Sequence, residues 1–396
     1  MLIARLFSKI YKTGGIILID HKGQKYICGT PHRDEPLTLK ILNKKLNWKL
    51  LINPDLSFPE AYMNGDIKIE NGSLLDFLNL TFKNLGRNEI NTSGYFIKKI
   101  LHAWRYFTNF NLPIKSKKNV EHHYDLGDDF YKLFLDKDMQ YSCAYFYNPN
   151  ITLDQAQKDK KNHIIKKLNI NENMNILDIG CGWGGLALEI AKQTGASVKG
   201  ITLSKNQLSI AQKRSQDEGL NEKVRFLLQD YRNEEDHYDR IVSIGMFEHV
   251  GLNYYPNFFS KTYNLLKDSG VMLLHTIGQR SVPTATSPWI RKYIFPGGYI
   301  PSLSEITKIT EKFNINITDI EILRLHYAYT LDQWYKNMIK NKQIIIQNFD
   351  KHFFRMWEFY LLISKYSFVN MGNIVYQLQI SKNINNLPLT RNYMYN

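Results

Sequence analysis

The sequence predicts an α/β protein in which a seven-stranded, mostly parallel sheet follows a smaller N-terminal α+β domain. Three observations carry this expectation. The stretch NILDIGCGWGG, residues 175–185, reads as a strand, a tight Gly-rich turn and the start of a helix. Short apolar runs then alternate with helical patterns as far as Ile277. In the first part of the chain, short apolar runs are instead separated by turn signals.

Taken in order, the opening MLIARLFSKIYK predicts a short amphipathic helix. Leu2, Ile3, Leu6, Phe7 and Ile10 share one face, and Arg5, Lys9 and Lys12 lie elsewhere. Docking on its own protein is the expected role of such a helix, with a membrane surface as the alternative. Residues 16–19, 25–28 and 48–52 read as strands, with turns at 21–23 and 53–55. Ser73 is a candidate cap for a helix through Leu80 and beyond. Pro113 and several lysines mark 111–120 as a linker, so an N-terminal domain of residues 1–110 and a main domain of 121–396 are expected.

The main domain opens with a polar and aromatic block, EHHYDLGDDFYKLFLDKDMQYSCAYF. His122 and His123 are adjacent and no second pair stands at helical ligand spacing, so no metal site is expected. A helix over 153–168 leads into the Gly-rich stretch. Strands are expected at 198–202, 224–228, 240–244 and 271–277. Helices are expected at 205–217, capped by Ser204, and at 255–267. Late strands at 315–323 and 374–380 complete the sheet. Ligands of such sheets bind beyond the carboxyl ends of the strands.

Lys and Arg number 51 against 37 Asp and Glu, a net charge of +14. That balance favours anionic membranes or nucleic acid, although a Lys-, Asn- and Ile-heavy composition explains it equally well. Cys28, Cys143 and Cys181 form no CxxC pair, which points away from a disulfide framework or zinc knuckle and towards a reducing cytosol. No run is long and apolar enough to span a bilayer, and no secretory signal is evident.

Gly180, Gly182 and Gly185 satisfy G-x-G-x-x-G, which raises a dinucleotide as ligand. Nicotinamide enzymes place Asp or Glu about 20 residues further on, at the end of the second strand. Here that region reads KGITLS, without a carboxylate. The loop DIGCGWGG, with Asp178 before it and an extra glycine, is closer to the S-adenosylmethionine loop of Rossmann-like methyltransferases. Thr202 and Gln207 stand where a ribose carboxylate is otherwise found. Asp230, ending the third strand, can accept from an adenine amino group, with Tyr231 as a stacking face. No N-P-P-Y motif follows the fourth strand, so nucleic acid is not an expected substrate.

With these residues in view, the chain resembles the cyclopropane-fatty-acyl-phospholipid synthase family, which includes the mycolic acid cyclopropane synthases. The resemblance runs from about His122 to Tyr335, through HYDLGDDFY, MQYSCAYF, LDIGCGWGGLA, GITLSKNQ, LQDYR, GMFEHVG, LLHTIG and PWIRKYIFPGG. It is weaker at NPDLSFPEAYMNGDIKI in the N-terminal domain. The resemblance implies methyl transfer from S-adenosylmethionine to a cis double bond of an acyl chain, followed by ring closure with proton loss. It implies membrane phospholipids with unsaturated acyl chains as substrate, and a cytoplasmic protein held peripherally on an anionic membrane. For the N-terminal domain it implies lipid engagement and dimerisation, hence a homodimer.

Carried over by position, the resemblance places a bicarbonate ion among Cys143, Glu248, His275, the Ile277 backbone and Tyr327. Cofactor contacts are implied at Tyr141, Ser142, Asp178, Gly180, Cys181, Gly182, Trp183, Gly184, Thr202, Leu203, Gln207 and Tyr231. Taken singly, Cys143 reads as a small buried residue, His275 as a core histidine and Tyr327 as packing. Taken together, at strand ends around one loop, they read as a site. Two departures stand out: many members carry a cysteine in the C-terminal helix and an arginine shortly after it, where this chain has Ser364 and Val369. They remove a covalent cysteine at that position and leave a methyl-branched or methylene product as the alternative outcome. A lipid carrier without turnover is a further alternative, against which the intact loop, Glu248 and His275 argue.

Overall fold

The computed structural model describes residues 2–31, 35–85 and 127–395. The expected linker, the boundary near residue 110 and the His122–His123 pair lie outside them. The first described part holds a four-stranded sheet of order β2-β1-β3-β4, from Gly15–Ile19 (β1), Lys25–Gly29 (β2), Thr38–Ile41 (β3) and Ile67–Glu70 (β4). The β1–β2 and β3–β4 pairs are antiparallel, and β1 runs parallel to β3.

Three sequence expectations are refined here. The segment expected as a strand at 48–52 is part of a helix, Leu46–Ile52. Leu46 and Leu50, four residues apart, are buried, while Trp48 and Ile52 are 65% and 81% exposed. A run of large apolar residues mimicked a strand, but burial follows the helical period. Pro54 then starts a second helix, Pro54–Asn64, in place of the turn expected at 53–55. The helix Leu2–Ile10 does dock on its own protein, through Ile3, Ala4 and Phe7, but Leu2 and Leu6 remain exposed. Ser73 caps the helix Leu74–Leu85 reciprocally: its Oγ accepts from the Asp76 amide at 3.2 Å, and its own amide donates to Asp76 at 2.9 Å.

The second sheet has seven strands in the order β10-β11-β9-β8-β5-β6-β7. They are Asn175–Ile179 (β5), Ser197–Thr202 (β6), Val224–Leu228 (β7), Tyr238–Ile244 (β8), Leu266–Gln279 (β9), Asn316–Ile322 (β10) and Asn373–Ser381 (β11). Strands β5 to β9 pair in parallel, and β11 runs antiparallel between β9 and β10. Ile176 joins the core under the helices Leu153–Leu168, Gly185–Thr194 and Lys205–Asp217. Leu177 and Ile179 join the core on the opposite face, under Tyr255–Leu265 and Leu303–Lys312. Burial on both faces is why these strands read as unbroken apolar runs. From β5 the chain builds outwards to β7, then returns to add β8 on the other side of β5. This reversal opens a crevice at the strand ends.

The N-terminal elements share a third core with the C-terminal helices His326–Lys340 and Lys351–Tyr366. Phe58 meets Phe77 and Phe359, with ring centroids 5.4 and 6.2 Å apart, and Phe82 stacks on Tyr366 at 4.9 Å. The Tyr62 hydroxyl donates to Glu358 at 2.6 Å. No helix among the described residues is long and apolar enough to cross a membrane.

Candidate active site

A cavity lies at the carboxyl ends of β5, β6, β7 and β8, in the crevice the topology predicts. The Gly-rich turn forms its floor. Gly180 has φ +80°, and a Cβ there would stand 2.9 Å from the Met246 side chain. Only a residue without a side chain lets the turn approach Met246 this closely. Asp178, Gly180, Cys181, Gly182 and Trp183 line the cavity. Thr202, Leu203 and Gln207 line it from the end of β6, Asp230 and Tyr231 from the end of β7, and Tyr141 and Ser142 from the preceding loop. Gly184 stands behind the wall, where a Cβ would meet Phe226 at 2.6 Å. Its part is to let the helix pack on the sheet.

Each wall has a definite polarity. Asp178 is buried, and its Oδ2 has no hydrogen-bond partner among the described residues. Burial pushes its carboxyl up to about 7, partly offset by Lys160. The Thr202 hydroxyl donates to Gln207 Oε1 at 3.0 Å, which leaves the Gln207 amide nitrogen as a donor. Asp230 accepts from the Arg232 backbone at 3.0 Å and from its Nε at 2.8 Å. The Trp183 indole donates to Asp128 at 2.7 Å. Among the described residues no cluster of His, Cys, Asp or Glu is placed to hold a metal.

Cys143, Glu248, His275, Ile277 and Tyr327 do not line this cavity but flank it. Cys143 follows the cavity residue Ser142, and Glu248 lies between the cavity residues Met246 and His249. The ring of Tyr141 stacks on Trp334 at 5.2 Å, and Trp334 meets Tyr327 edge-on at 5.8 Å. Glu248 Oε1 accepts from the Ile277 amide at 2.5 Å, while Oε2 is buried without a partner among the described residues. The Ile277 N–H is therefore engaged by Glu248 and contributes here by orienting that carboxylate. Burial pushes Glu248 up to about 7 and His275 down to about 3. With the Gln377 amide nitrogen 3.1 Å from His275 Nδ1 and donating, the neutral imidazole carries its proton on Nε2. Burial also raises the Cys143 thiol, which stays protonated.

Sequence reading did not find what holds this loop in place. From one side, Gln157 Nε2 donates to the carbonyls of Gln140 and Ser142 at 3.1 and 3.0 Å. From the same helix, Lys160 Nζ reaches Gln140 Oε1 at 2.8 Å and Ser142 Oγ at 2.9 Å. From the other side, Thr330 Oγ1 and His326 Nδ1 accept from the amides of Ala144 and Phe146 at 3.0 and 2.9 Å. The one available signal was phase: Lys160 stands four residues from both Ala156 and Ile164, on the buried stripe of its helix. Ser364 closes the helix Lys351–Tyr366, accepting from Ser367 at 2.6 Å, and neither it nor Val369 lines the cavity.

Methyl transfer from S-adenosylmethionine is the chemistry to which this fold and cavity belong, and the chain is an S-adenosylmethionine-dependent methyltransferase of Rossmann-like fold. More narrowly, it belongs to the mycolic acid cyclopropane synthetase family, whose model matches residues 112–378. Cyclopropane-fatty-acyl-phospholipid synthase of Escherichia coli strain K12 is 36% identical over 371 residues, spanning 86% of this chain and 95% of that protein. A probable fatty acid methyltransferase of Pseudomonas putida is 38% identical over 287 residues, 70% of this chain and 73% of its own length. Among solved structures, a mycolic acid cyclopropane synthase complexed with SAH and CTAB superposes with a TM-score of 0.63. It is 35% identical and covers 67% of this chain and 97% of its own. Coclaurine N-methyltransferase, 19% identical with a TM-score of 0.66, shares the fold.

Proposed function

We propose that this enzyme converts the cis double bonds of membrane phospholipid acyl chains into cyclopropane rings, with bicarbonate bound beside the cofactor cavity. The observation that carries the reading is Glu248, whose buried Oε2 has no partner among the described residues. An anion bearing an O–H would satisfy it. The neighbouring groups fit the same ligand. Cys143, His275 and Tyr327 are neutral donors and offer no charged nucleophile to trap a cation.

S-adenosylmethionine supplies the methyl group: its S–CH₃ bond breaks as a C–C bond forms to one alkene carbon. The other carbon is left cationic. The rings of Tyr141, Trp334, Tyr327 and Phe368 pack on one another beside the cavity, an aromatic surrounding of the kind that keeps water from such a charge and stabilises it. Closure to the ring releases one proton, and bicarbonate is the base supplied for it. Glu248, held by the Ile277 amide, accepts the O–H that orients that base, while the His275 Nε2 proton is directed by Gln377 on the other face. Incubation with unsaturated phospholipid vesicles and methyl-labelled S-adenosylmethionine should give labelled lipid whose NMR spectrum contains cyclopropane ring protons. Label in a methyl branch or methylene group, without ring protons, would replace this outcome with the alternative product. Unlabelled lipid would overturn the reading.

The lipid must be reached at a membrane surface. Leu2, Leu6, Trp48, Leu51 and Ile52 are exposed on the N-terminal helices, beside Lys44, Lys45 and Lys49. Each well-placed lysine contributes about 1 kcal/mol on an anionic leaflet. Binding to anionic liposomes is expected to weaken as salt rises, since the Debye length shrinks. Salt-independent flotation would assign adhesion to the apolar residues alone.

A further inference from the structure

Lys160 is fully buried, yet no carboxylate lies within ion-pair distance of it among the described residues. Its two partners are neutral oxygens, Gln140 Oε1 at 2.8 Å and Ser142 Oγ at 2.9 Å. A buried cation without an anion is costly, so a site that keeps one has a use for its charge. The acidic side chains whose charge reaches it, Asp136 and Asp138, do not pair with it: Asp136 accepts instead from the amides of Asp138 and Gln140 at 3.0 and 2.9 Å. Asp138 is occupied by Lys161 at 2.8 Å and by Arg214, and it takes the Gln140 amide nitrogen at 3.0 Å.

An ammonium group has three donors and no acceptor. Ser142 Oγ must therefore accept from Lys160, and its own proton must point elsewhere. The Ser142 carbonyl is already taken by Gln157 at 3.0 Å. Ser142 lines the cavity, so the proton is available there. We propose that Lys160 is a positioning residue: by donating to the Ser142 oxygen it turns the Ser142 O–H away from itself to donate into the cavity, and it supplies the positive field for the carboxylate at the methionyl end of the cofactor. The proposal rests on the reading that Ser142 contacts S-adenosylmethionine.

Two ligands separate this role from a merely structural one. S-adenosylhomocysteine carries the amino-acid end, and 5′-methylthioadenosine lacks it. By calorimetry, K160M should weaken S-adenosylhomocysteine at least ten-fold and leave 5′-methylthioadenosine within two-fold of the wild type. S142A should lose affinity in the same selective way, and the K160M/S142A pair should lose less than the sum of the two, because they act through one contact. Equal losses for both ligands, or additive losses in the double variant, would overturn the role. Should K160M fail to fold, S142A still decides: unchanged preference for S-adenosylhomocysteine would sink the proposal. Failure of the wild type to bind S-adenosylhomocysteine would instead overturn the cofactor assignment itself.

Discussion

Replacing Glu248 by Gln is expected to lower kcat by roughly 10²–10⁴-fold, the range typical of positioned proton-transfer groups. Cofactor affinity should hold, because Glu248 flanks the cavity without lining it. The amide keeps an oxygen for the Ile277 N–H but presents NH₂ where Oε2 stood, so it cannot accept the O–H of the bound base. The pH profile carries the same information. Burial raises Glu248 to about 7, and the ionised form is the one that accepts. Activity of the wild type should therefore rise with pH through about 7. Steady-state rates with vesicle substrate, alongside calorimetry with S-adenosylhomocysteine, check both halves. Full activity in E248Q would remove Glu248 from the proposed chemistry.

Asp178→Asn should act on binding and stability in opposite directions. The Asp178 carboxylate faces the cavity with an oxygen lacking a partner among the described residues. Loss of a charged hydrogen-bond acceptor for the cofactor's cationic end costs about 1.5–3 kcal/mol, or roughly 10–100-fold in affinity. Stability follows from the raised titration. The folded protein holds the Asp178 proton up to about 7, whereas the unfolded chain releases it near 3.8. The folded state is thus favoured at low pH, and that contribution is lost as pH rises through this window. At most about 4 kcal/mol is at stake. Asparagine never ionises, so D178N should gain stability relative to the wild type between pH 4 and pH 8. Urea denaturation of the two apo proteins across that range tests the sign; parallel curves would place the Asp178 proton elsewhere.

The two substitutions differ in how visible their residues were beforehand. Asp178 sits in a local strand–turn–helix pattern, so its place at the strand end is legible from its chain neighbours, while its burial and the field of Lys160 come from packing. The same legibility holds for Thr202 and Asp230, which end strands whose apolar runs are unmistakable. By contrast, residues 48–52 mimic a strand, because Trp48, Leu51 and Ile52 are large apolar groups that the helix leaves in solvent. Only the burial of Leu46 and Leu50 reveals the true period. Lys160 is inconspicuous in the sequence for the converse reason. A lysine in a helix with several others reads as surface, and although its phase with Ala156 and Ile164 points inward, nothing nearby in sequence names Gln140 and Ser142 as its partners.

What the sequence by itself determined was the parallel sheet, the Gly-rich turn and the residues that end each strand, since backbone preference and burial period act over a few residues. The resemblance of its motifs pointed to the chemistry. Tertiary structure alone decided how the groups meet: Glu248 takes the Ile277 amide, Gln377 sets the His275 proton, and the loop bearing Cys143 is clamped between two helices. Partners separated by 29, 102 and 186 positions come together only when the sheet and its covering helices close. Their polarity depends on how completely that closure removes water. Lys160 shows the point most directly, for its role comes from a buried charge that only the packed protein defines.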